Sequence, residues 1–437
     1  MRYSLYSILF ISLFGTANLA ALDLGEALAA AGKTTDERSA EMQSSSAAAQ
    51  YGIASYPGDP SLSLGPTYVR KSGDIFGDAS TEAFGASLTL SLPLGLPDAS
   101  RDKADEASIQ AAYSKEFLPW SLESARLKIY NLYANAWIAQ EELGLFQREG
   151  IVAEEEFLAA KALYSSGSLG YADYRKAEEE LTKARDAVLF GGMNQRVTRL
   201  ELFSVIQLED DGKPLSMDVP VRSSLPKGPE LAANAVINDP EIQRGLALEA
   251  LARTQLERMT RFSLPATLKV SMTNEGTVYS VSYTHDARKL SAVYDSPLVY
   301  LSEAASSNPW SLGISLEVPL DTGGYDARQA ELLAVTADAE KVRTEAAMAA
   351  LALDARLAYQ TWVRADDARE QAIRNAALSA EILETVRAKA KLGQATTTEL
   401  ARAALDAERA NFTATAQAVN AERLRRYAAL VARYPIN

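Results

Sequence analysis

The strongest constraint on this chain is that it contains itself twice. Pro93-Leu94 recurs as Pro319-Leu320, 226 residues later. Tyr133 in NLYANAW recurs as Tyr359 in LAYQTW at the same offset, and so do Gly167 as Gly393, Asp173 as Glu399 and Ala177 as Ala403. Separate landmarks that hold one spacing imply two copies of one supersecondary unit. Over this stretch the copies differ by no net insertion.

Each copy reads in the same order, with repeat 1 over 22–191 and repeat 2 over 228–437. A helix comes first, at about Leu24–Tyr51 and about Gly228–Arg261. A strand pair follows. In FGASLTLSLPL, Phe84, Ala86, Leu88, Leu90 and Leu92 alternate with Gly85, Ser87, Thr89 and Ser91. In WSLGISLEVPL, Trp310, Leu312, Ile314, Leu316 and Val318 alternate with Ser311, Gly313, Ser315 and Glu317. Period-two alternation predicts strands with one apolar and one wet face. These strands cover 84–94 and 310–320; their partners are read at 60–70 and 266–283, giving four strands per chain.

After each pair comes a long helix, 98–164 and 326–391. The second stretch has neither Gly nor Pro. At 1.5 Å per residue, ~65 residues make a rod of ~100 Å, about three times a bilayer core. Gly167 and Gly393 end the rods as helix C-terminal stops. Return helices are expected at 171–190 and 397–431. Thr396 with Glu399 spells a capping box; Gly170 and Asp173 take those places in the first copy. Tyr174, Ala177, Leu181, Ala184 and Val188 recur at spacings of three and four, as do Leu400, Ala403, Ala407, Ala410 and Ala414. A period of 3.5 predicts left-handed coiled-coil packing. Residues 192–227, with Gly192, Gly212, Pro214, Pro220 and Pro226, read as a connector.

The N-terminus has Arg2, an apolar run from Leu5 to Phe14, then Ala17, Ala20 and Ala21. That pattern predicts a signal peptide over residues 1–21, and no later run is apolar and long enough for a helical membrane span. The chain has no cysteine and one histidine, His285. Disulfides, thiolate metal sites, multi-histidine metal sites and a lipid-modified cysteine are therefore excluded. No catalytic, cofactor or metal constellation is expected. A formal charge of −13 argues against nucleic acid as a partner.

Four amphipathic strands cannot close a barrel, and open edges are not tolerated in lipid. Strands of about eleven residues suit a tilted membrane span. Three chains would supply twelve strands, an even number inside the known range.

The motifs PSLSL, LTLSLPL, LEVPLDTGGYDARQA, GSLGYADYRKAEEELTKA and GQATTTELARAALDAERA, in two registers after a signal peptide, resemble those of the TolC-like outer-membrane efflux family. The resemblance covers essentially the whole mature chain. It implies an α+β membrane protein: a homotrimer with a twelve-strand outer-membrane barrel continued by a periplasmic coiled-coil tunnel. It further implies passive export of small molecules or proteins within a tripartite efflux or type I secretion system. The partners would be outer-membrane lipid, a periplasmic adaptor and, through it, an RND, ABC or MFS pump. The turns holding Gly167, Asp173, Gly393, Thr396 and Glu399 would form the periplasmic tip that meets the adaptor. Asp173 and Glu399 would set charge selectivity at the entrance. The family's tip Tyr and Arg are Ala390 and Ala395 here, so its gating residues do not carry over. Arg402 lies one turn beyond Glu399, placed to pair with it. Two other readings stay open: a periplasmic adaptor, or a structural coiled-coil envelope protein.

Overall fold

A computed structural model describes residues 22–31, 35–71, 81–96, 98–218, 224–260, 267–274, 277–285, 288–300, 310–317 and 325–435. The signal peptide read at 1–21 lies outside the described residues. In chain order the elements are β1 (Leu22–Asp23), α1 (Leu24–Ala31), α2 (Thr35–Ala54), β2 (Ser61–Lys71), β3 (Thr81–Pro93), α3 (Asp98–Ser165) and α4 (Tyr171–Ile206). Then follow β4 (Leu215–Ser216), α5 (Gly228–Asn238), α6 (Pro240–Thr260), β5 (Thr267–Asn274), β6 (Thr277–Thr284), β7 (Lys289–Tyr300), β8 (Trp310–Glu317), α7 (Tyr325–Lys391) and α8 (Thr397–Val431). They fall into two compact units.

The first unit comprises Gln43–Glu116 and Pro240–Ala347. Its sheet is antiparallel throughout, in the order β2-β3-β7-β6-β5-β8. Among the described residues the sheet thus has six strands, where the sequence reading expects four. The stretch read as one strand over 266–283 is two, β5 and β6, and β7 was not expected. Two physical features account for this. Asn274-Glu275-Gly276 supplies turn-forming residues inside an otherwise unbroken alternation. Pro297 discourages a strand assignment for β7, yet it falls beyond Asp295, the last β7 residue paired to β6. There β7 is bonded to β3 alone, the edge-like setting in which proline is tolerated. Beside the sheet, Arg258 on α6 reaches Asp102 at 3.0 Å and Asp105 at 3.3 Å on α3.

The second unit comprises Met1–Met42, Phe117–Asp239 and Met348–Asn437. One core gathers Ile129, Tyr133, Trp137, Leu202, Phe203, Ile206, Leu215 and Val419 from α3, α4, β4 and α8. Another packs Leu231 and Ala235 of α5 against Ala355 and Ala358 of α7 and Ala428 and Ala429 of α8. Alanine at so many contacts lets these helix axes approach closely.

Two boundaries differ from the sequence reading. The return helix expected over 171–190 continues to Ile206, so the connector begins later than 192. Gly191-Gly192 looks like a stop, but a Cβ at Gly191 would lie 2.8 Å from the Phe146 ring. The glycine there serves close packing of α4 on α3. The helix expected over 228–261 breaks at Asp239, which is extended at φ −76°, ψ 120°. Proline disfavours the helical region for the residue before it, and Pro240 opens α6.

The short β1–β4 pair is fastened from α3. The Tyr133 hydroxyl donates toward the carbonyls of Leu22 (2.7 Å) and Ser216 (2.5 Å). Gln140 donates to the Leu215 carbonyl (3.1 Å) and accepts from its N–H (2.8 Å). Burial pushes the Tyr133 phenol up to about 12, so it remains a donor. Tyr130 is equally buried, but its hydroxyl has no hydrogen-bond partner. Its ring instead lies 4.5 Å beneath the Arg426 guanidinium. Tyr133→Phe is therefore expected to cost ~0.5–1.5 kcal/mol by removing the hydroxyl that fastens the Leu22 and Ser216 carbonyls. Tyr130→Phe keeps the ring contact and removes an unsatisfied group, so it should be neutral or stabilising. Denaturant midpoints of the two variants check this; equal losses would contradict it.

Candidate functional site

Two surfaces stand out, one on each unit. The first is a face of the sheet. Cross-strand pairing aligns Leu62, Leu90, Ala292, Val281, Val270 and Ile314 in one row across all six strands. A second row runs Leu64, Leu88, Tyr294, Tyr279, Met272 and Leu312. A third runs Leu92, Leu290, Tyr283, Leu268 and Leu316 over β3 to β8. Apolar residues on this face are open to the surroundings: Leu64 is 77% exposed and Ile314 72%. The alternate rows hold Ser61, Ser91, Ser291, Ser282, Lys269 and Ser315, then Ser63, Thr89, Val293, Ser280, Ser271 and Gly313. Small Ser91 and Ser280 are each only 7% exposed. The polar face is thus closely covered at Ser91 and Ser280 and open at its edge strands, where Ser61, Ser63, Gly313 and Ser315 are exposed. A contiguous apolar face of this size on an antiparallel sheet matches a membrane strand pattern of apolar-out, polar-in.

The second surface is the pair of helical turns. At Gly167 the backbone is left-handed, φ +76°, and the Ser168 N–H bonds the Leu163 carbonyl at 2.9 Å. At Gly393 φ is +71°, and the Gln394 N–H bonds the Lys389 carbonyl at 2.9 Å. Both rods thus end as the glycines predict. The capping box is formed: Thr396 Oγ1 accepts from the Glu399 N–H at 3.1 Å, and Glu399 accepts from the Thr396 N–H at 2.8 Å. That backbone donor holds the Glu399 carboxyl below its usual range. A lowered folded-state value means the cap is fully made above the free value and is lost as pH falls through the lowered one. The first copy differs. Gly170 occupies the cap position with no side-chain cap bond, so Asp173 sits exposed in the first turn without that duty.

Arg402 does not pair with Glu399. It crosses to Glu156 on α3, at 2.7 and 2.8 Å, because Glu399 is turned back on its own helix start. Arg409 reaches Glu149 at 2.6 Å and Arg148 reaches Glu408 at 2.7 Å, joining the same two helices. The sequence reading missed these links. Their trace was there: Glu149 and Glu156, like Arg402 and Arg409, stand seven residues apart, the period of the seam. An aromatic cluster was missed too. Tyr164 stacks on Tyr174 with ring centroids 4.9 Å apart, and Tyr171 lies 6.1 Å from Tyr164.

The sequence profile of the outer membrane efflux protein family matches residues 27–204. Over those residues, most of the first copy and the length of α4 up to Ser204, the chain is similar to the TolC-like outer-membrane efflux family. Solved structures agree with that fold. A membrane protein from Pseudomonas aeruginosa is similar with TM-score 0.60 at 16% identity, over 93% of this chain and 92% of that one. The Campylobacter jejuni CmeC outer membrane channel gives 0.59 at 15%, over 94% and 85%. The Neisseria gonorrhoeae MtrE outer membrane channel in its open state gives 0.59 at 18%, over 94% and 88%. A search among curated proteins gave no match. The TolC-like family is a transport family of the outer membrane, not a family of enzymes.

Proposed function

We propose that the chain is the outer-membrane exit duct of a tripartite efflux or type I secretion system. It would passively release small molecules or proteins delivered by an inner-membrane RND, ABC or MFS pump through a periplasmic adaptor. The observation that carries this reading is the exposed apolar face of a sheet whose edge strands, β2 and β8, are each paired on one side only. In lipid, every bare backbone N–H and C=O at such an edge costs several kcal/mol. The edges therefore pair with other copies, and a homotrimer closes the barrel. The helical unit supports association independently. Phe190, Met193, Val197 and Leu200 on α4 are exposed and spaced three, four and three, the seam of a coiled coil without its partner. An adaptor or a purely structural coiled coil has no use for an apolar sheet face.

The turns at Gly167–Asp173 and Gly393–Glu399, with Thr396, are proposed as the periplasmic tip that meets the adaptor. Threefold symmetry would bring three Asp173 and three Glu399 carboxylates to the entrance, a ring that attracts cations. Trimer in a planar bilayer should then conduct cations in preference to anions. Asp173→Asn with Glu399→Gln should reduce that preference. Asp173→Asn alone should do most of it, because the Glu399 carboxylate is occupied by its cap. Unchanged selectivity in the double variant would dispose of the ring.

A further inference from the structure

The two copies are not equal in the sheet unit. Shifting β2 and β3 by the repeat offset of 226 lands them on 287–297 and 307–319, which are β7 and β8. The true counterparts of the first strand pair are therefore β7 and β8, and the hairpin β5–β6 has none. The chain shows the extra length in the same place. Only residues 55–60 separate α2 from β2, whereas 261–288 separate α6 from β7. The second copy has gained a hairpin just before its strand pair.

The hairpin lies between the strands it precedes. β2 bonds β3 directly, but β7 does not bond β8: β6 pairs with β7 from Val278 to Thr284, and β5 pairs with β8 from Thr267 to Asn274. The hairpin also keeps the two-faced pattern in register. Val270 and Val281 continue the row from Leu90 to Ile314, and Met272 and Tyr279 continue the row from Leu88 to Leu312. On the other face Lys269, Ser271, Ser280 and Ser282 continue the serine-rich rows. A one-residue slip would put every one of these side chains on the wrong face. A hairpin outside a membrane wall has no reason to keep this order.

We infer that β5–β6 is an inserted part of the barrel wall, so that each chain supplies six strands and three chains close a barrel of eighteen, not twelve. This rests on the trimeric duct proposed above. Eighteen is even and inside the known range. Barrel diameter grows about linearly with strand number, so the exit is roughly half as wide again as a twelve-strand one. Its added lining is hydroxyl groups with one lysine and one valine, Lys269 and Val278, per chain, which suits bulky hydrated cargo.

The chain has no cysteine, so disulfide pairs can be introduced cleanly. Three double variants and one control decide the matter, each oxidised in membranes and scored for an intrachain link. Ser63→Cys with Thr89→Cys, partners in β2–β3, is the control. Ser282→Cys with Ser291→Cys and Lys269→Cys with Ser315→Cys are partners if the hairpin is in the wall. Lys289→Cys with Ser315→Cys is the shifted image of the control and would be partners if β7 bonded β8 directly. In the eighteen-strand wall these two lie three strand spacings apart, about 14 Å. The expected result is linkage in the control and both hairpin pairs and none in the last. Linkage in the last pair, or a linked control with unlinked hairpin pairs, overturns the inference. Native mass of the unmodified protein is measured on the same preparation. Three chains with a failed hairpin pattern leave the duct standing, whereas a single chain fails the duct itself while the intrachain links still score the hairpin.

Discussion

Leu90→Arg is expected to prevent accumulation of the folded membrane form, while Thr89→Arg, one residue away, is tolerated. Leu90 sits in the middle of three apolar rows, between Leu62 and Ala292. An arginine on the lipid face of a barrel costs ~2–4 kcal/mol at the bilayer midplane. That corresponds to a fall of about 30-fold to nearly a thousandfold in the folded population at ~1.4 kcal/mol per decade. A barrel built from identical chains carries the substitution in every one of them. Thr89 lies in the alternate, serine-rich row between Ser63 and Val293, which in the proposed barrel lines the lumen, where water would solvate the charge of a long polar side chain. Quantifying heat-resistant oligomer in outer-membrane fractions checks both variants. Greater damage from Thr89→Arg would reverse the assignment of the two faces.

The second large effect is expected in the helical unit. Met193 is 60% exposed and Val197 52% in the single chain, at the centre of the stripe from Phe190 to Leu200. Burying such side chains against a neighbouring helix contributes ~1.5–3 kcal/mol each. Met193→Glu with Val197→Glu forfeits that and buries two carboxylates per interface. Dissociation of the trimer should rise by well over tenfold by the same conversion, read by light scattering in detergent. Trimers that survive Met193→Glu with Val197→Glu unharmed would remove α4 from the interface.

Much of this architecture was legible because the deciding signals are local. Gly167 and Gly393 stop their helices because a left-handed residue without Cβ strain is needed there. The run from Thr396 to Glu399 contains both halves of its cap. Alternation in β3 and β8 is clean because each strand has one wet and one apolar face. What escaped depends on partners far away in the chain. Gly191-Gly192 reads as a helix end until Phe146 is known to lie against it. Pro297 reads as a breaker until the strand beside it is known to stop short. Arg402 reads as a partner of Glu399 until the cap is seen to occupy that carboxylate, which leaves Arg402 to Glu156 on another helix. The hairpin β5–β6 escaped for a different reason. A repeat offset taken from landmarks after the strands says nothing about an insertion before them.

The trimer is the claim on which the duct, the entrance ring and the barrel all depend. Its most direct test is the native mass of the mature protein extracted from outer membranes in mild detergent. The account predicts a mass of three chains that persists on dilution. A stable single chain, soluble without detergent, would contradict it.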